Sequence, residues 1–128
     1  MAQMITSYAL EFCDLDVYDD YVVSRIHEGI TTKPEMLKVF FKLMDIHYKN
    51  KPFVYVSHRV HSFSINPAIH AESSKIPNLL GIAVVSSDPM QIEQVKMEKF
   101  FFKKDFEIFD TIEKALKWKE EILNTHKD

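Results

Sequence analysis

Glycine, cysteine and long apolar runs are what this 128-residue chain has least of. Its two glycines, Gly29 and Gly81, stand far apart. Dinucleotide fingerprints and phosphate-cradling loops need clustered glycines for close backbone approach, so both are excluded. The lone Cys13 excludes a disulfide framework and multi-cysteine zinc sites. No stretch approaches the roughly 18 uninterrupted apolar residues that span a bilayer. The start, Met1-Ala2-Gln3-Met4, has no basic segment followed by an apolar one, so neither a secretory signal nor membrane insertion is expected. With a single free thiol, a reducing cytoplasm is the expected location.

What is present is the balance of one globular domain over 1–128: 46% hydrophobic and 27% charged residues. Nineteen acidic against sixteen basic side chains give a net charge of −3. Nucleic acid is therefore not an expected partner, since binding it relies on excess cationic charge. Lys96, Lys99, Lys103 and Lys104 surround Phe100-Phe101-Phe102, and they read as a solvated helix face.

Along the chain, Tyr8, Leu10 and Phe12 alternate with Ala9 and Glu11, the period of a half-buried strand. Asp19-Asp20 gives turn chemistry, and Tyr21–Ile26 is rich in β-branched and aromatic residues, which predicts an antiparallel hairpin ending at Gly29. Thr32, Pro34 and Glu35 form a capping box ahead of a helix whose Met36, Leu37, Phe40, Leu43, Met44 and His47 share one face. Phe53–Val56 and Leu79–Val85 read as central strands, with a short helix from Pro67 to Lys75 between them. Asp88, Pro89 and Gln91 start a helix expected to reach Phe102. Phe106–Phe109 is a last strand, and Asp110 with Glu113 caps a final helix whose inner face holds Ile112, Ala115, Leu116, Lys119, Ile122 and Leu123. The predicted order is β-β-α-β-α-β-α-β-α. This is an α/β fold with a mixed sheet, later strands parallel and joined by right-handed crossovers.

Several stretches resemble a known family. Glu98, Phe101 and Phe102, then Phe106, Ile108, Phe109-Asp110 and Ile112–Trp118 are similar to the closing signature of SpoIIAA-like proteins. These belong with the STAS (sulfate transporter and anti-sigma factor antagonist) domains and are distantly similar to CRAL-TRIO lipid-binding domains. Lys51–Arg59 and Ser64–Pro67 resemble small bacterial members, as does the hairpin ending in Glu28-Gly29. The resemblance implies four or five strands with helices packed on the sheet, and a cytosolic regulatory or binding role. Anti-sigma antagonists of this fold carry an Asp-Ser-Ser-Gly-like phosphoacceptor after the third strand. Here the matching stretch, Ser57-His58-Arg59-Val60-His61-Ser62-Phe63-Ser64, has neither that aspartate nor that glycine, so no phosphoswitch is carried over.

The same stretch is the candidate site. Ligands of open α/β sheets sit beyond the carboxyl ends of strands, where this loop lies. Arg59 offers a fork of donors for carboxylate or phosphate, His58 and His61 add charge below neutral pH, and Ser57, Ser62 and Ser64 bring hydroxyls. The competing reading pairs Arg59 structurally with Glu28 or another strand-end acid. No metal site is expected, because His58 and His61 point to opposite faces of a strand and His27, His47, His70 and His126 are scattered. No cofactor is expected either. Cys13 has no neighbouring cation to activate it, and no Gly-x-Ser-x-Gly elbow exists, so an enzyme is not expected. The leading expectation is a non-catalytic binding domain recognising a protein partner or a small anionic ligand through the Ser57–Asn66 loop, possibly as a homodimer. The alternative is a carrier of a small apolar or lipid-like ligand in a groove between sheet and helices, near the triple phenylalanine.

Overall fold

A computed structural model describes residues 4–60 and 65–125. Six strands form one sheet in the order β1-β2-β3-β4-β5-β6: β1 (Met4–Ala9), β2 (Cys13–Tyr18), β3 (Tyr21–Ile26), β4 (Phe53–His58), β5 (Leu79–Val85) and β6 (Asp105–Phe109). The first three pair antiparallel and β3 to β6 pair parallel. Four helices intervene: α1 (Pro34–Tyr48), α2 (Ala68–Ser73), α3 (Pro89–Lys99) and α4 (Ile112–Thr125).

Parallel strands that step steadily in one direction, joined by right-handed crossovers, bring every connecting helix to the same face. Accordingly α1 and α3 supply Met44, Tyr48 and Val95 to a core that also holds Leu15, Val22, Phe53, Ile82, Val84 and Phe106 from the sheet. α4 follows the last strand and is free to cross to the other face, where Ala115, Leu116 and Trp118 pack on Val54, Val56, Ala83 and Val85. Strand alternation divides the central residues: Val54 and Val56 face α4, whereas Ile82 and Val84 face the opposite layer.

The expected α/β mixed sheet is present, with six strands rather than four or five and a β-β-β-α-β-α-β-α-β-α order. The difference lies at the start. The segment read as one strand from Tyr8 to Phe12 is the end of β1 followed by a tight turn, closed by Leu10 N–H donating to Cys13 O at 2.9 Å. That turn, Leu10-Glu11-Phe12, contains none of the usual turn residues. β2 then buries Cys13, Leu15 and Val17 while Asp14 and Asp16 face away, Asp16 meeting Arg25 of β3 and Asp14 meeting His27 just after it.

Three helix ends also shift. Lys33, not Thr32, occupies the N-cap position of α1, and the Thr32 hydroxyl instead accepts from Asn66 N–H at 3.1 Å. α3 ends at Lys99, so only Phe102 of the triple phenylalanine is buried while Phe100 is 82% exposed. The Thr111 hydroxyl accepts from Lys114 N–H at the start of α4, and Asp110 pairs with the Lys114 ammonium. Within β5 Gly81 gives space, because a Cβ there would lie 3.0 Å from both Asp105 O and Trp118 Cη2. Among the described residues no helix is long and apolar enough to cross a membrane.

Candidate functional site

β4 builds the site by alternation. Phe53, Tyr55 and Ser57 face α1 and α2, and the chain leaves the sheet at Arg59, whose N–H still donates to Val85 O at 2.9 Å. That last ladder bond holds the Arg59 side chain on the same side as Ser57. Its Nε donates to the Ser57 hydroxyl at 3.2 Å, and its two terminal nitrogens grip Glu98 at 2.7 and 2.5 Å. Glu98 comes from α3, one turn beyond buried Val95 and four residues before Phe102, so helical spacing points it into the core. His70 of α2 meets the same carboxylate, Nε2 to Oε1 at 2.7 Å, and Gln94 Nε2 donates at 3.2 Å.

This cluster is fully enclosed: the side chains of Arg59, Glu98 and His70 are 2%, 0% and 5% exposed. Burial alone would raise the pKa of Glu98, but hydrogen bonds from Arg59 and His70 outweigh it and hold the pKa of the carboxyl at about 2. Glu98 is therefore a carboxylate, and its charge is met within the protein by the Arg59 guanidinium. An anion arriving here meets a guanidinium already neutralised in the strongest, two-pronged geometry.

Beside the cluster, between α1, α2 and the sheet, lies a cavity of about 80 Å³. Its wall is mostly hydrocarbon, including Leu15, Leu37, Phe40, Ile69 and Ile82, and at one end stand Ser57, Arg59, His70 and Ser73. The Phe40 and Tyr55 rings meet edge-on at 5.0 Å within this wall. Burial lifts the Tyr55 phenol to about 12, with a Ser24 hydrogen bond opposing the rise. Burial likewise lifts the Cys13 thiol of the wall to about 11, offset in part by Ser24. Neither group is ionised near neutral pH.

On the far side of Arg59, at the carboxyl ends of β4 and β5, is a second, polar hollow of about 390 Å³. Glu28, His58, Ser87, Asp88 and Asp110 line it. The Asp88 side chain caps α3 by accepting from Met90 N–H at 3.0 Å. Burial and the charge of Arg25 lower the affinity of His58 for a proton.

Of the residues singled out in the sequence, His58 and Glu28 therefore lie together in the polar hollow, Ser57 belongs to the buried side, and Arg59 borders both. Arg59 pairs with an acid, as the structural reading required, but the acid is Glu98 of α3 and not the exposed Glu28. His61, Ser62 and Ser64 lie outside the described residues. Sequence reasoning missed Glu98 and His70 as partners. The signal was there for Glu98, since an acid in step with Val95 and Phe102 on a buried face needs a cation. Among the described residues no group of three or more histidine, cysteine or acidic side chains has the arrangement to hold a metal.

No protein-family description matches the sequence, and no curated protein does. A solved structure does resemble it: an uncharacterized protein of the DUF3478 family with a SpoIIAA-like fold, from Shewanella loihica PV-4. The TM-score is 0.53 at 11% identity, over 93% of this chain and 95% of that one. The chain thus has the SpoIIAA-like fold.

Proposed function

We propose that this is a non-catalytic binding domain that lodges a small, mainly apolar ligand between the sheet and helices α1 and α2. The SpoIIAA-like fold is one in which a regulatory or binding role is natural, and fold alone does not choose the ligand. The observation that carries the choice is the apolar cavity of about 80 Å³ ending at the Arg59–Glu98–His70 cluster. Apolar walls with a few fixed polar groups are the usual make-up of a small-molecule pocket. The lifted Cys13 and Tyr55 groups in its wall favour binding over chemistry. A cytoplasmic location suits a chain whose lone thiol is buried and free.

1-Chlorobutane tests this reading, because it has no hydrogen to donate. In the wild type it is expected to shift the methyl resonances of Leu37, Ile69 and Ile82 saturably. Ser73→Leu, which fills the cavity, abolishes the shifts. Unchanged methyl spectra in the wild type would remove the proposal.

A second reading, recognition of a protein partner, is favoured at the polar hollow. Its exposed carboxylates Glu28, Asp88 and Asp110 suit a cationic segment, not the small anion that Arg59 first suggested. Charge reversal at Glu28 and Asp110 together is expected to abolish binding of a lysine-rich peptide, and no binding by the wild type would remove this second reading.

A further inference from the structure

The cavity has one feature that an apolar guest leaves unmet. His70 Nδ1 is buried and has no hydrogen-bond partner among the described residues, although its ring forms part of the cavity wall. Other polar groups of that wall are engaged: the Ser57 hydroxyl accepts from Arg59, Thr32 accepts from Asn66 N–H, and Ser73 donates to Ile69 O. An unpaired buried polar atom costs stability, so its persistence calls for a partner that the described residues do not provide.

The cluster fixes the chemistry of that partner. Glu98 is ionised and accepts from His70 Nε2, so Nε2 carries the ring hydrogen. In the neutral ring Nδ1 is then a lone pair, an acceptor. The ring's attitude is fixed by Glu98 on one side and by Phe106, which meets it edge-on at 5.3 Å. What fits is a donor hydrogen on a hydrocarbon body.

Resting on the reading above that the cavity is a ligand site, we propose that it takes a small alcohol. The hydroxyl donates to His70 Nδ1 and the hydrocarbon part lies against Leu37, Ile69 and Ile82. The space of about 80 Å³ is smaller than the roughly 150 Å³ that admits benzene, so a short alcohol enters whole and a longer one by its hydroxyl end.

The test compares 1-butanol with 1-chlorobutane, which match in size and differ in the donor, by titration of the wild-type protein followed through the same methyl resonances. 1-Butanol is expected to bind about tenfold more tightly, the factor of one net hydrogen bond. In His70→Phe, where Glu98 keeps Arg59 and Gln94, that preference is expected to vanish while 1-chlorobutane still binds. Equal affinity of the wild type for both compounds overturns the hydroxyl seat and leaves the cavity reading standing. Binding of neither overturns both.

Discussion

Glu98 carries more of this molecule than any other side chain, because four hydrogen bonds converge on it in a place water does not reach. Such an arrangement is costly to break by halves. Removing one member leaves an uncompensated buried charge, whereas replacing the pair with hydrocarbon of similar volume does not. Arg59→Ala is therefore expected to lose about 3–5 kcal/mol in urea unfolding, and Arg59→Met with Glu98→Leu to recover most of it. Acid supplies an independent check. Because the folded protein holds Glu98 at about 2, below its ordinary 4.5, the carboxylate stabilises the fold above pH 4.5. That contribution is lost as pH falls from 4.5 toward 2. The urea midpoint of the wild type should fall through this window more steeply than that of Glu98→Gln, and parallel profiles would show that the carboxylate is not held down.

At the scale of elements, the two-residue turn Asp19-Asp20 is where both helical layers fasten onto the sheet. From one side the Tyr48 hydroxyl at the end of α1 donates to Tyr18 O at 2.6 Å and Tyr21 O at 2.7 Å. From the other, the buried Lys119 ammonium of α4 reaches Asp20 at 3.3 Å and lies 4.7 Å from the centre of the Tyr21 ring. Tyr48→Phe keeps the stacking on Phe53 but leaves a buried carbonyl without its donor, and is expected to cost about 1–3 kcal/mol by thermal unfolding.

Much of this level was legible in the sequence. Two parallel strands announce themselves by their apolar runs, Phe53–Val56 and Leu79–Val85, and the inner face of α4 by its spacing. β2 escaped although Cys13, Leu15 and Val17 alternate with Asp14 and Asp16, because aspartate is a poor strand former and Leu10-Glu11-Phe12 turns without glycine, proline or asparagine. The site was half legible: Arg59 drew notice as a donor, but a sequence does not show that its partner lies 39 residues away on helix α3.

For the whole molecule, a sheet with α1, α2 and α3 on one side and α4 on the other encloses two separate cores. The cavity belongs to the layer with the additional helices, beside Arg59, and the polar hollow opens on the far side of the same residue. Arg59 is thus the partition between an apolar interior and a carboxylate-lined mouth. α3 also presents Met90 and Met97 to solvent seven residues apart on one helical face, with Phe100 one turn further on.

The most direct trial of the central claim is a high-resolution crystal structure of the protein soaked with 1-butanol. The account predicts alkyl density between α1, α2 and the sheet, with the alcohol oxygen about 2.7–3.0 Å from His70 Nδ1. Density for hydrogen-bonded water alone in that space, with His70 Nδ1 already satisfied by it, would contradict the account.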